Sequence, residues 1–271
     1  MAETALPDLE AAMDAAWPAP DQEESGGWVL RAAGGVTQRA NSIWPRSEPA
    51  GTNHGRLALL REARAWYRGR RLPVIFQVFD DSRSAALNAV LDEEGFTRQS
   101  ETLILVRDAG AVPAPLDAAP APADEAPDAG VELSAEPSAE WLRLWWSVDG
   151  RGGEESLATA RGILEGCRSL YALVRDDDGV PAAVGRLALP PGGDGGLYSM
   201  ATRPEVRRRG YATRVLRCLV REGDVRGVTS YWLLVTAANA GARELYARSG
   251  FAEAGRYFYR QERPKRHLTG C

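Results

Sequence analysis

The stretch RRRGYATRVLRCLV, Arg207–Val220, decides how the C-terminal half of this chain is read. From Ala212 onward, Ala212, Val215, Leu216 and Leu219 recur at the spacing that lines one face of a helix. Arg207, Arg208 and Arg209 stand just ahead of it, where the first free backbone N–H groups already give a helix its positive end. Basic residues ordinarily favour the other terminus. A strand that passes through a tight turn into a helix start is an anion cradle, and Gly210 lets the main chain approach closely there. A phosphorylated ligand removes the electrostatic conflict. The rival reading is a solvated basic turn whose charges are cheap under surface screening.

Working outward, GLYSMAT (Gly196–Thr202) reads as the strand entering this turn, and SYWLLVT (Ser230–Thr236), a nearly all-apolar run, as a strand buried on both faces. NAGARELYARSGF follows, a helix with Asn239 as N-cap and Gly250 as a left-handed C-terminal cap, and GRYFYRQ is a last strand. Upstream, VELSAE from Val131 is a first strand, EWLRLWWSV and ESLATARGILEG are helical, and SLYALVRDDDG with VPAAVGRLALP forms a hairpin.

Composition frames this. The 271 residues are 44% hydrophobic, enough for two domains. Residues 108–130, almost all Ala, Pro, Asp and Gly, read as a semi-rigid linker between a domain at 1–107 and one at 131–263, with 264–271 as a tail. No apolar run approaches a membrane span, and the acidic start lacks the basic region of a signal peptide. Three widely spaced cysteines, Cys167, Cys218 and Cys271, suggest free thiols in a reducing cytoplasm rather than a metal site or disulfides. His54 and His267 have no metal-ligand spacing. A net charge of −4 argues against a general nucleic-acid binder.

The turn resembles the phosphate-binding signature of the GNAT superfamily of acetyl-CoA-dependent N-acetyltransferases: Arg207, Gly210 and Ala212 stand in register, with Pro204 ahead of them. NAGARELYARSGF resembles that family's second signature, carried by Asn239, Leu245, Tyr246, Gly250 and Phe251. The resemblance covers roughly 131–261. It implies an α/β (α+β) fold in which each domain is a mixed, mostly antiparallel sheet flanked by helices. It also implies acetyl-CoA as acyl donor, no metal, and direct attack by a primary amine. By the same resemblance Arg207, Arg208, Arg209, Gly210, Tyr211, Ala212 and Thr213 hold the phosphates, and Met200, Ala201 and Thr202 line the pantetheine arm. The Met200 N–H would steady the oxyanion, and Tyr246 would protonate the leaving sulfur, with Asn239 beside it.

Acetyl transfer needs an unprotonated amine, an oxyanion donor and a proton for the thiolate. Many relatives carry a glutamate two positions before Met200; here Tyr198 stands there, and a neutral phenol is a poor base for an alkylammonium of pKa about 10.4. A water chain, Asp149 or another carboxylate of the helical segment, or an unusually acidic amine would meet the need. WLRLWWSVDGRGGEES is expected to line the acceptor pocket: Trp145 and Trp146 as a wall, Asp149 for an ammonium, Arg151 for a carboxylate, with Trp141 in the core. The expected partner is a small-molecule amine, with no nucleic acid or membrane, in a monomer or dimer. A non-catalytic acyl-CoA-binding module and a protein N-acetyltransferase are the alternatives.

SAALNAVLDEEGF (Ser84–Phe96) aligns without a gap on Asn239–Phe251, matching Gly95 with Gly250. Strands in WVLRAAGGVTQRANSIW with a hairpin turn, a helix RLALLREARAWYR and a strand VIFQVF precede it, so an internal duplication is expected. Leu91 replaces Tyr246 and Ser84 replaces Asn239, which marks the N-terminal copy as a degenerate acetyltransferase domain. Tandem arrangements of this kind occur in the superfamily.

Overall fold

A computed structural model describes residues 6–47, 53–110 and 130–263. Most of the expected linker and all of the expected tail lie outside the described residues. In chain order the elements are α1 (Leu6–Ala16), β1 (Asp21–Ser25), β2 (Trp28–Ala32), β3 (Trp44–Pro45), α2 (Asn53–Gly69), β4 (Ile75–Phe79), α3 (Ala85–Glu93), β5 (Thr97–Asp108), β6 (Val131–Ser134), α4 (Ala139–Asp149) and α5 (Glu154–Glu165). There follow β7 (Ser169–Arg175), β8 (Pro181–Ala188), β9 (Gly195–Thr202), α6 (Tyr211–Val225), β10 (Ser230–Thr236), α7 (Ala240–Arg248) and β11 (Ala252–Gln261).

The described residues group into two units, 6–18 with 103–254, and 19–102 with 255–263. The division falls inside β5 and β11, not at 107 and 131 as composition suggests, because each unit takes a strand from the other half of the sequence.

In the first unit the strands run β5-β10-β9-β8-β7-β6. β6 to β9 pair antiparallel, and β10 lies parallel to β9. A Cβ on Gly185 of β8 would run into Met200 Sδ and stand 2.7 Å from Val215 Cγ1, so a glycine is what lets α6 lie close on the sheet. The next side chain, Arg186, points to the other face. It is fully buried: Nε donates to Ser169 Oγ (2.9 Å), Nη1 donates to the Ala16 carbonyl (2.9 Å), and Trp17 and Tyr198 flank the guanidinium at 5.7 and 5.8 Å. Trp17 stacks on Tyr198 at 5.4 Å. α1 thus belongs to this unit. Trp141 is core, its Nε1 donating to the carbonyls of Ala172 (3.0 Å) and Gly185 (3.2 Å).

In the second unit β1 and β2 form a hairpin, Ser25 opposite Trp28, whose two central residues Gly26 and Gly27 both adopt positive φ. The hairpin expected within 28–44 is present but short: β2 pairs antiparallel with β3 as well as with β1, Val29 opposite Trp44, and β3 keeps only two residues, with Ile43 just ahead of it bridging to Phe76. β4, β11 and β5 neighbour one another, and Trp28, Leu60, Tyr67, Phe76, Leu91 and Phe96 fill the core. The duplication is visible in the geometry. β4 and β10 start 155 positions apart, as do α3 and α7, which have equal length. Gly95 and Gly250 both take positive φ, and each following phenylalanine donates its N–H five residues back, Phe96 to Leu91 and Phe251 to Tyr246.

Candidate active site

α6 starts at a residue with no side chain to cap it. Gly210 sits at φ 85°, offers no acceptor, and leaves the N–H groups of Tyr211, Ala212 and Thr213 without intrahelical partners, since the first helical bond runs from Arg214 N–H to the Gly210 carbonyl. Ahead of it Pro204–Val206 make a 3-10 turn, and Arg208 also takes positive φ, at 67°. The backbone is therefore coiled so that several donors converge.

β9 supplies the adjoining wall. Its pairing with β10 ends at Leu197 opposite Leu233, so from Tyr198 to Thr202 that edge has no partner strand among the described residues. On the other side the register with β8 shifts between Val184 and Arg186, two β9 residues facing one, which is a β-bulge. Ser199 in the bulge has φ 53°, and its buried Oγ has no hydrogen-bond partner. The two strands part where the bulge begins.

A cleft of about 1040 Å³ lies between the end of β9, the turn and α6, and α7. Met200, Ala201 and Thr202 line it with Arg207, Arg208, Gly210, Tyr211, Ala212 and Thr213, and Asn239 and Tyr246 of α7 close the far side. The structure brings these expected residues together. Arg209 is exposed and does not line the cleft. Asn239 caps α7, its side chain accepting from the Ala242 N–H at 3.1 Å. Tyr246 is 7% exposed, packs on Phe251, and its hydroxyl has no partner among the described residues. Burial first, and then the Asp149 carboxylate, push that hydroxyl's pKa up to about 12.

The expected acceptor residues separate. Asp149, the last residue of α4, lines the cleft. The residue is exposed, yet the protein packed about its carboxyl raises it somewhat above the ordinary aspartate range, while the Arg207 guanidinium and a hydrogen bond with Trp145 oppose the rise. Trp145 is core, packed between Trp17, Trp141 and Trp146. Trp146 is half-buried and donates Nε1–H to the Gly152 carbonyl at 3.3 Å, and Arg151 is exposed; neither lines the cleft. Tyr198 is also core, accepting from Trp232 Nε1 at 3.1 Å. Sequence reasoning missed Arg107 of β5, which lines the cleft from a strand earlier in the sequence than any other lining residue. Among the described residues no group of three His, Cys, Asp or Glu could hold a metal, and no helix is long and apolar enough to cross a membrane.

Parted strands beside an uncapped, arginine-flanked helix start define a GNAT-type N-acetyltransferase. Residues 4–260 match the family described as "Probable histone acetyltransferase Rv0428c C-terminal", and the chain belongs to that family. It is 31% identical over 248 residues to the probable histone acetyltransferase Rv0428c of Mycobacterium tuberculosis, across 89% of this chain and 70% of that protein. It is 27% identical over 259 residues to the N-acetyltransferase YobR of Bacillus subtilis, across 94% of this chain and 98% of that one. A GCN5-related N-acetyltransferase from Kribbella flavida shares the fold at a TM-score of 0.64 and 19% identity, covering 96% of this chain and 95% of its own.

Proposed function

We propose that the unit formed by 6–18 and 103–254 transfers an acetyl group from acetyl-CoA to the primary amine of a small molecule by direct attack. The observation that carries this reading is the single cleft running from the free N–H groups of α6, past the unpaired edge of β9, to the unpartnered hydroxyl of Tyr246. The pyrophosphate takes the N–H groups at the start of α6, with Arg207 and Arg208 beside them and Arg209 at the rim. Main-chain groups of Met200 and Thr202 pair with the pantetheine arm as an added strand would, and the Met200 N–H donates to the developing oxyanion from a position already in place. Tyr246 gives its proton to the departing thiolate; a hydroxyl with a pKa of about 12 is protonated at neutral pH, as an acid must be. Cys167 and Cys218 form no disulfide among the described residues, in keeping with a cytoplasmic enzyme.

The name of the Mycobacterium tuberculosis relative favours a second reading, transfer to a protein amine. Non-catalytic acyl-CoA binding has no use for the unpartnered Tyr246 hydroxyl. A screen for CoA release from acetyl-CoA, run over amino acids, polyamines, aminoglycosides and N-terminal and lysyl peptides, tests all three. Small amines as the fast acceptors support the first reading, peptides the second, and release with none of them despite tight acetyl-CoA binding the third.

A further inference from the structure

If the cleft moves acetyl groups to amines, something in it must take the ammonium proton. Tyr198 is unsuited: it is buried under Trp17, and its oxygen already accepts from Trp232. The carboxylates that line the cleft are Asp149, Asp224 and Glu244. Asp224 lies near the C-terminal end of α6, away from the phosphate turn, and accepts the Tyr231 hydroxyl at 2.7 Å. Glu244 is paired with Arg248 one turn along α7. Asp149 has no ion pair at contact distance among the described residues. It ends α4 within the reach of charge of both Arg207 on the phosphate turn and Tyr246 on α7, and it shares the cleft with Met200.

We propose that Asp149, at the end of α4, is the group that binds the acceptor's ammonium and removes its proton. The inference rests on the acetyl-transfer reading above. In the step, R–NH3⁺ gives one proton to the Asp149 carboxylate, and the freed nitrogen pair forms the C–N bond at the thioester carbon. The C–S bond then breaks, the thiolate takes the Tyr246 proton, and the second proton leaving nitrogen restores Tyr246. Asp149 releases its proton to solvent, so acetyl-CoA and R–NH3⁺ give the amide, free CoA and one H⁺. The groups facing Asp149 are Arg207 from the turn, Tyr246 from α7 and Trp145 on its own helix. A carboxyl raised above the ordinary range is the better proton acceptor. Arg207 sets a limit to that rise, and repels a cation placed anywhere but against the carboxylate.

The experiment compares wild type, Asp149→Asn and Asp149→Glu by CoA release from acetyl-CoA across pH 5–9. One arm uses phenethylamine, spermidine and an alanyl tripeptide; the other uses methoxyamine, which is already unprotonated at neutral pH. Calorimetry of acetyl-CoA binding runs alongside. The expected result is that Asp149→Asn lowers kcat/KM for the protonated amines by roughly 10²-fold or more and removes the acidic limb of their profile, while Asp149→Glu recovers part of the rate. Methoxyamine transfer and acetyl-CoA affinity stay within about threefold of wild type. An unchanged rate and profile in Asp149→Asn overturns the proposal, and so does an equal loss with methoxyamine, which is what a merely structural role gives. Wild-type protein that binds acetyl-CoA but releases CoA with no probe overturns the acetyl-transfer reading itself, a result distinct from either.

Discussion

Two substitutions at Gly210 separate the shape of the phosphate turn from its charge. Gly210 sits at φ 85°, and a Cβ there would meet nothing within 4 Å. Gly210→Ala therefore adds no clash; its cost is the left-handed backbone alone, about 1–2 kcal/mol of stability. Gly210→Asp carries the same backbone, but Asp visits that region more readily and its carboxylate meets the positive end of α6, so it loses less stability than Ala. For ligand binding the order reverses. The methyl of Ala leaves the N–H groups of 211–213 free, whereas the carboxylate competes for them and repels a phosphate. Losing one or two charged hydrogen bonds at about 1.5–3 kcal/mol each weakens acetyl-CoA binding roughly 10- to 10⁴-fold. Thermal melts of both variants and calorimetric titration with acetyl-CoA give the two orders. Equal affinities in Ala and Asp, or a less stable Asp, would refute the claim that the turn exists to hold an anion.

Further outcomes follow from other positions. Tyr246→Phe is expected to leave acetyl-CoA affinity unchanged and to lower turnover by roughly 10²-fold, nearer the low end for a positioned acid because a thiol is a weak base, checked by steady-state kinetics. Since Tyr246 is protonated in the fold up to a pKa of about 12 and to about 10 unfolded, its contribution is full below pH 10 and is lost as pH rises toward 12; alkaline unfolding should be less steep in Tyr246→Phe. Asp149 has the opposite consequence. A raised folded pKa penalises the ionised fold, but the side chain is exposed and solvent screens the charge, so Asp149→Asn should melt only slightly higher at pH 7, the gain vanishing as pH falls below the ordinary aspartate value of about 3.9. Arg186→Ala, which removes a donor from the Ser169 hydroxyl and the Ala16 carbonyl and opens a void, should cost about 2–5 kcal/mol in chemical denaturation. Acetyl-CoA should bind at one site per chain by calorimetry, since Leu91 and Ser84 replace Tyr246 and Asn239 in the N-terminal copy.

What the sequence made legible is what local rules govern. α6, β10 and α7 were readable because periodicity, the Asn239 cap and Gly250 act within a few residues of where they appear. α1 was not, because what holds it is remote: its last carbonyl meets Arg186, 170 positions away. β1, an exposed DQEES, has no apolar alternation and becomes a strand only by pairing with β2 across Gly26 and Gly27. In the site, Gly210 announced the turn, but nothing in GLYSMAT announces a bulge at Ser199, which exists because β8 shifts register opposite it. Trp145 and Asp149 lie four apart on α4, yet the first is core and the second lines the cleft; where a helix ends, one more turn of chain leaves the packed face.

The two copies agree where the framework is made and differ at a residue that in one of them lines the cleft. Gly95 and Gly250 hold the same conformation, and Phe96 and Phe251 close the same backbone ring onto Leu91 and Tyr246. The residue receiving that bond is thus fixed by main-chain geometry, which leaves its side chain free to change. In one copy it is Leu91, fully buried in the core with Phe76 and Phe96. In the other it is Tyr246, whose ring packs on Phe251 and whose hydroxyl lies at the cleft. A leucine satisfies a core more simply than a tyrosine, because it brings no polar atom to be matched. Keeping a phenol at this position instead of a leucine puts a hydroxyl at the cleft, where a bound ligand can meet it.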